Sequence, residues 1–229
     1  GVSPDDVEQI LPLTPMQRDM VMSQWLNPAS LANTLGYRAE VDFEVNADDW
    51  EKAIELLSLQ QPLTRTTFHQ SRLPYGEFAW QCIHRHLDIT VEVMDYRQET
   101  LDEATIQQRV DAFIYRPEAY TRQQFIRYGL MRLPGPRTLL LLSSHHALLD
   151  GVSIVLIAQA TARLYEALQA HRNISSVEPL PLAFNDYVSA NIQQIDHAAT
   201  LDFWRERFQR CEALDFPVMP GHEPSRQVV

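Results

Sequence analysis

The spacing of apolar residues predicts amphipathic helices in the first half of the chain. Thr14 followed by Pro15 is typical of an N-cap and a first helical residue. The apolar positions of this first helix are Met16, Met20, Met22 and Leu26. Asn46 and Thr100 are expected to cap two further helices, the second of which ends at Pro117. Their apolar stripes are Trp50, Ile54, Leu56 and Leu57 in one and Ile106, Val110, Phe113 and Ile114 in the other.

Strands are predicted where large and polar residues alternate. These segments are residues 34–45, 77–83, 88–95, 124–133 and 137–146. The last segment contains four consecutive leucines, so it is expected to be buried on both faces and central in its sheet. It leads into a long helix at residues 152–170, and two more helices are predicted at residues 182–195 and 200–214. The chain is therefore predicted to be one mixed α/β domain, with helices packed on a sheet.

Composition excludes several classes of protein. The chain has 229 residues, 45% of them hydrophobic, which is enough for a real core. A formal net charge of -11 disfavours nucleic acid as a partner. No apolar run approaches the roughly 20 residues that span a bilayer, and the start resembles no signal peptide, so we expect a cytoplasmic protein with no membrane contact. Cys82 and Cys211 show neither a disulfide nor a zinc pattern, and both are expected to be reduced and buried.

The segment 143–151 has the strongest chemical pattern of the sequence. Neighbouring residues of a strand point to opposite faces, so His145 and His146 cannot both face one pocket. His146 lies next to a helix N-terminus, where the helix dipole favours a neutral ring that can act as a base, and His145 is then structural. Asp150 is expected to brace the loop by pairing with a cation, and Gly151 to allow a tight turn into the helix.

Segment 143–151 also fits other interpretations. A histidine pair at a strand end is also typical of simple core packing. No metal is expected here, because the two rings diverge and no third ligand is suitably spaced. Ser143 and Ser144 lie inside the strand and lack a nucleophile elbow, so packing with hydrogen bonds to the backbone is the simpler interpretation. The absence of an evident nucleophile favours a transferase that joins two substrates directly with the help of a base.

Four ordered motifs resemble one family. Residues 143–153 resemble the HHxxxDG motif of the condensation domains of nonribosomal peptide synthetases. The opening motif is similar to residues 11–20, the second motif to residues 60–68, and the fourth to residues 184–188. Residues 201–208 resemble the helix that normally follows. The resemblance implies the chloramphenicol acetyltransferase-like fold, an α+β two-layer sandwich with a mixed sheet covered by helices.

The resemblance also implies roles for particular residues. His146 corresponds to the catalytic or positioning histidine, which is held near the amine that attacks a thioester carbonyl. Asp150 corresponds to a structural residue that pairs with the arginine of the second motif, here Arg65, while His145 and Gly151 support the site. No metal or dissociable cofactor is implied. Both substrates arrive on the phosphopantetheine arms of donor and acceptor carrier domains, beside neighbouring adenylation domains of the same assembly line.

The sequence departs from the family in two ways. Thr64 stands where leucine is usual, and Gln60, Gln61 and Pro62 replace the usual Arg, His and Glu. Family members are about twice as long, and no later motif is found after residue 188. Residues 1–215 are therefore expected to be the N-terminal lobe, and residues 216–229 a linker toward a C-terminal lobe that the sequence lacks.

Alternatives remain open within and beyond this family. An epimerisation domain shares the motif but carries a Trp soon after it, where this chain has Ile154. A heterocyclisation domain is disfavoured because such domains carry acidic residues in place of the two histidines of the motif, and this chain has His145 and His146. Macrocyclising relatives stay possible, as does a noncatalytic interaction platform. A free-standing acyltransferase of the chloramphenicol acetyltransferase type ranks second. The motif of such enzymes lies near the C-terminus, whereas 229 − 151 = 78 residues follow Gly151 in this sequence.

Overall fold

The computed structural model describes residues 4–73, 76–86, 89–116, 125–180, 184–194 and 197–209. The chain divides into two compact units, Gly1–Ser189 and Ala190–Val229. Cys211 and Pro117 lie outside the described residues. Among the described residues, no helix is both long enough and apolar enough to cross a membrane.

Six α-helices and seven strands form the described part of the chain. The helices are α1 (Pro15–Leu26), α2 (Ala47–Gln60), α3 (Glu103–Ile114), α4 (Gly151–Gln169), α5 (Phe184–Gln194) and α6 (His197–Phe208). The strands are β1 (Val7–Pro12), β2 (Thr34–Val41), β3 (Thr66–Leu73), β4 (Gly76–His84), β5 (Val91–Asp95), β6 (Ile126–Arg132) and β7 (Thr138–His145). The predicted mixed α/β class is confirmed.

The strands form two separate sheets. The smaller sheet has the order β1-β4-β3 and is antiparallel throughout. The larger has the order β2-β7-β6-β5, in which β5 and β6 are parallel and the other pairs antiparallel. The leucine-rich strand β7 therefore lies inside its sheet, as its sequence predicts.

Helices cover both faces of the larger sheet. Leu139 and Leu141 of β7 pack in one cluster with residues of α3. Leu142 faces the other way, into the main core cluster that includes residues of α2 and α4. Because neighbouring side chains of a strand alternate between faces, a strand buried by helices on both sides needs a continuous apolar run. This is the physical reason for the four leucines of β7.

The buried face of α1 differs from the predicted apolar stripe. Thr14 and Pro15 begin the helix as expected, with a complete capping box between Thr14 and Gln17. However, Met16 is 69% exposed and Leu26 83% exposed. The buried residues are instead Gln17, Val21 and Gln24. Both glutamine side chains donate hydrogen bonds to backbone carbonyls, which compensates for the loss of water.

Two further predictions need correction. The cap of α3 is Asp102, whose side chain accepts from the backbone N–H of Thr105, and not Thr100. Strands β1 and β3 were not predicted from apolar alternation. In β3, Thr66 and Thr67 are buried polar residues next to buried Phe68, so the apolar–polar alternation of a half-buried strand is absent. Only pairing with β4 makes β3 recognisable as a strand.

Candidate functional site

The two adjacent histidines occupy different environments. Strand β7 ends at His145, and His146 is the first residue of the following turn. His145 is fully buried, and its ring packs edge-on against Phe125 with centroids 5.4 Å apart. Its Nδ1 accepts a hydrogen bond from the backbone N–H of Ala147 at 3.1 Å. Burial, with a smaller contribution from the neighbouring His146, lowers the pKa of His145 to about 4. His145 is thus a neutral ring that holds the turn.

His146 lies on the wall of a cavity of about 830 Å³. Its backbone N–H donates to the carbonyl of Asn33 at 2.7 Å, which fixes the start of the turn, and its side chain is half-buried. The cavity lies between the N-terminal ends of α1, α4 and α5. Its other lining residues are Thr14, Pro15, Met16, Gln17, Met20, Gln61, Leu63, Ala147, Leu148, Leu149, Asp150, Ser153, Leu156, Ile157, Leu180, Phe184 and Tyr187. A single basic ring therefore faces a mostly apolar space.

Asp150 is the N-cap of α4. Its Oδ1 accepts from the backbone N–H groups of Val152 at 3.1 Å and Ser153 at 2.7 Å. These hydrogen bonds, led by that of Ser153, lower the pKa of Asp150, and His146 adds a smaller favourable charge effect. The carboxylate thus satisfies two backbone N–H groups at the start of the helix that lack a partner within the helix. Asp150 and His146 both line the cavity.

The expected pairing of Arg65 with Asp150 is wrong. Arg65 is buried at the end of a short 3-10 helix, Pro62–Arg65, and forms an ion pair with Glu8 at 2.6 Å. Its Nε donates to the carbonyl of Ser58 at 2.7 Å, and its Nη1 donates to the carbonyl of His84. Asp150 satisfies its charge with backbone N–H groups, while Arg65 ties α2 to the smaller sheet.

The conformational reason expected for Gly151 is also absent. Gly151 is the first residue of α4, and its backbone lies outside the left-handed region that favours glycine. A Cβ at this position would meet no heavy atom within 4 Å. The turn therefore does not require glycine at this position. Its notable feature is the open space beside the start of α4.

The two serines before the histidine pair have packing roles. Ser143 Oγ donates to the carbonyl of Ile114 at 2.8 Å, and Ser144 Oγ donates to the carbonyl of Phe125 at 3.1 Å. Both serines are fully buried. This confirms their interpretation as core residues that bond to the backbone.

Gln17 is a functional candidate that chemical reasoning on the sequence missed. Its Nε2 donates to the carbonyl of Ala147 at 3.2 Å, directly after His146. The same amide exchanges hydrogen bonds with Gln81 of β4. Gln17 also completes the capping box with Thr14, so one side chain joins the start of α1 to the turn of His146. The signal available in the sequence was the similarity of residues 11–20, which include Gln17, to the opening motif.

A second histidine cluster lies outside the cavity. His69, Cys82 and His84 place their potential ligand atoms within 4.8 Å of one another. No motif of the sequence includes His69 or His84. The signal was present in the alternation of Trp80, Cys82 and His84, because alternate residues of a strand share one face.

Comparison with known sequences identifies relatives of one kind. Residues 7–228 match the family described as "Condensation domain". Chondramide synthase cmdD of Chondromyces crocatus is 27% identical over 215 residues, covering 91% of this chain and 5% of that protein. Surfactin synthase subunit 2 of Bacillus subtilis (strain 168) is 25% identical over 211 residues, covering 92% of this chain and 5% of that protein. The chain thus spans a small part of each relative.

Solved structures show the same fold. The starter condensation domain of rhizomide synthetase RzmA superposes with a TM-score of 0.76 at 18% identity, covering 91% of this chain and 52% of that chain. The first condensation domain of the calcium-dependent antibiotic synthetase gives a TM-score of 0.73 at 19% identity, covering 90% and 51%. This chain spans about half of those structures. Since the family match covers almost its whole length, the chain belongs to the condensation-domain family.

Proposed function

We propose that this chain is the N-terminal, histidine-bearing part of a nonribosomal peptide synthetase condensation domain. The proposed reaction joins a carrier-bound acyl or peptidyl thioester donor to a carrier-bound aminoacyl acceptor amine. The observation that carries the proposal is the position of His146, half-buried on the wall of an apolar cavity while its neighbour His145 is turned into the core. Family membership supports the reaction class.

The proposed chemistry balances without a covalent enzyme intermediate. The amine nitrogen of the acceptor attacks the carbonyl carbon of the donor thioester, a C–N bond forms, and the C–S bond breaks. The amine loses one proton and the departing sulfur of the donor arm gains one. His146 accepts the amine proton or holds it by a hydrogen bond during attack. The apolar cavity wall disfavours water, which would otherwise hydrolyse the thioester.

The other site residues hold this arrangement in place. His145 anchors the turn through the N–H of Ala147, and Asp150 fixes the start of α4 next to it. Gly151 leaves room beside the helix start, where the thin end of a substrate arm passes. Arg65 supports the site from a distance, by fixing the smaller sheet against α2. His146 is the catalytic residue, and these four are positioning residues.

The partners follow from the proposed reaction. Donor and acceptor carrier domains deliver the substrates on phosphopantetheine arms, and adjacent adenylation domains of a cytoplasmic assembly line load those carriers. The proposed amide-forming reaction uses no cofactor bound directly by the chain. Residues 1–215 form the N-terminal lobe and residues 216–229 a linker, and a C-terminal lobe supplies the opposite wall of the substrate tunnel. The length of the solved relatives, about twice this chain, supports that division.

The decisive experiment uses the chain extended through its native downstream sequence. It is mixed with acyl-loaded donor carrier and aminoacyl-loaded acceptor carrier, and intact-protein mass spectrometry follows the acceptor. We expect the acceptor to gain the acyl mass, and His146→Ala to slow this transfer by about 10²–10⁴-fold. His171→Asn is the matched control, because His171 is exposed and its positive φ of 50° suits asparagine.

The outcomes separate the candidate activities. Equal transfer by His146→Ala and the unaltered protein overturns the catalytic role of His146. No transfer between folded proteins with loaded carriers overturns condensation. In that case, inversion of the α-carbon of the carrier-bound amino acid, measured by chiral chromatography, identifies epimerisation instead. A protein that binds loaded carriers but performs neither reaction is an interaction platform.

A further inference from the structure

One face of the β3–β4 hairpin concentrates metal-binding side chains. In the antiparallel register, Thr67 lies opposite Cys82 and His69 lies opposite Trp80. Alternate residues of a strand share a face, so His84 joins Cys82 and Trp80 on the same side of β4. The tertiary pairing therefore brings two histidines and a cysteine to one place. This cluster is separate from the His146 cavity, whose lining residues it does not share.

The side chains of this cluster converge. Ligand atoms of His69, Cys82 and His84 all lie within 4.8 Å of one another. The Nε2 atoms of His69 and His84 both lie 2.7 Å from the hydroxyl of Thr67. In a tetrahedral zinc site, ligand atoms are about 3.3–3.8 Å apart, given metal–ligand bonds of about 2.0–2.3 Å. The upper limit of 4.8 Å is about 1 Å longer than that spacing.

Asp6 orients one of the two histidines. Its Oδ2 lies 2.8 Å from Nδ1 of His84, so the carboxylate accepts the Nδ1 proton of a neutral ring. The lone pair of His84 then lies on Nε2, the atom that faces Thr67. A carboxylate behind the outer nitrogen of a histidine is the usual arrangement that fixes the tautomer of a metal ligand. His69 is fixed differently, because its ring stacks on Trp80 with centroids 4.4 Å apart.

Charge and access also suit a divalent cation. A bound cation displaces the thiol proton of Cys82 to solvent, and its charge is then balanced by the Cys82 thiolate and the nearby Asp6 carboxylate. Cys82 and His84 are buried, whereas His69 is half-buried and gives a route from solvent.

We propose that His69, Cys82 and His84 bind one divalent cation of the zinc class. Imidazole and thiolate donors select zinc-like metals, while magnesium and calcium prefer oxygen ligands. The fourth position falls to the Thr67 hydroxyl or to water. The ligands lie on β3 and β4, and Asp6, which contacts His84, directly precedes β1. The cation therefore stabilises the packing of all three strands of the smaller sheet. It takes no part in the proposed amide chemistry.

Cobalt(II) is the probe that tests this site, because a cobalt–thiolate bond gives intense charge-transfer absorption in the near ultraviolet. The 229-residue chain is titrated with Co²⁺ in the reduced state, and Zn²⁺ is added afterwards. We expect the band to saturate at one Co²⁺ per chain and to disappear when Zn²⁺ replaces Co²⁺. Cys211→Ser, which removes the other cysteine of the chain, should keep the band, and Cys82→Ser should lose it.

The variants keep the test decisive even if one fails to fold. In Cys211→Ser the remaining thiol is Cys82, so a saturating band in that folded variant requires Cys82 as a ligand. Absence of the band there overturns the proposal, as does a band in folded Cys82→Ser. Asp6→Asn should weaken Co²⁺ binding by about 10–100-fold because it removes the carboxylate behind His84. Unchanged affinity would overturn the role of the Asp6 carboxylate in orienting His84 toward the cation.

Discussion

The two histidine sites of this protein differ in how they are built. At the cavity, His145 and His146 are adjacent in sequence but separate in function, since one ring is buried and the other lines the cavity. On the β3–β4 hairpin, His69 and His84 are distant in sequence but share one hydroxyl. Strand geometry explains both cases, because neighbouring residues of a strand point to opposite faces, whereas alternate residues of paired strands share one face. Proximity in sequence is therefore a poor guide to which histidines act together.

The sites also differ in how their polar groups are satisfied. In the hairpin region the hydrogen bonds come from side chains. Thr67 contacts the rings of His69 and His84, Asp6 contacts the ring of His84, and Arg65 donates to the backbone carbonyl of His84. The cavity region is held mainly by backbone N–H groups at a turn and a helix start, which bond to His145 and Asp150. We therefore expect substitutions in the hairpin network to cost more stability than substitutions beside the cavity.

The largest loss of stability is expected for Arg65→Ala. This change leaves Glu8 without its partner and two buried carbonyls, those of Ser58 and His84, without a donor. A buried acceptor left without a donor costs about 1–3 kcal/mol for each group, which chemical denaturation measures. The half-exposed Glu8 adds less, because solvent screens its charge. A double-mutant cycle with Glu8→Gln should show coupling, whereas a cycle with Asp150→Asn should be additive. Coupling to Asp150 instead would restore the pairing that the structure contradicts.

The next effect is a loss of stability in mild acid that depends on His145. Its folded pKa of about 4 lies below the usual value of about 6.5 for an unfolded chain. The stabilising contribution of the neutral ring is therefore complete above about pH 6.5 and is lost as the pH falls toward 4. The full difference is about 3 kcal/mol. Unfolding measured across this range should have a smaller slope in His145→Gln, and an unchanged slope would assign the effect to other groups.

A smaller effect is expected at the helix cap. Asp150→Ala should destabilise the protein by about 0.5–2 kcal/mol, because the N–H groups of Val152 and Ser153 lose their acceptor. Asp150→Asn keeps an acceptor and should retain most of that stability. The folded pKa of Asp150 is lowered, so its charge contributes above its ordinary pKa and is lost as the pH falls through the folded value. Equal denaturation midpoints for the Ala and Asn variants would contradict the capping role.

The smallest effect on stability is expected for Gly151→Ala. The position has an ordinary helical start and open space for a Cβ, so stability should rise by up to about 1 kcal/mol. Carrier-dependent transfer should nevertheless slow if a substrate arm passes next to the helix start. Thermal unfolding and the mass-spectrometric assay together separate these effects. A destabilised variant would mean that the turn does require glycine.

Part of the fold was predictable because local signals agreed with burial. The leucine run of β7 and the caps Thr14 and Asn46 gave correct elements. The buried face of α1 was not predictable, since Gln17 and Gln24 are buried only because distant carbonyls accept their protons. Strand β3 was missed for the same reason, because its polar side chains are satisfied across the hairpin.

Family membership and the separation of His145 from His146 follow from the sequence alone. The motif identifies the segment, and the alternation of strand side chains forces two neighbouring rings apart. Tertiary packing was needed to establish the partner of Arg65, the capping role of Asp150 and the convergence of His69 with Cys82 and His84. A charged or polar group takes the partner that the packed chain brings within hydrogen-bond distance, and no local pattern encodes that distance.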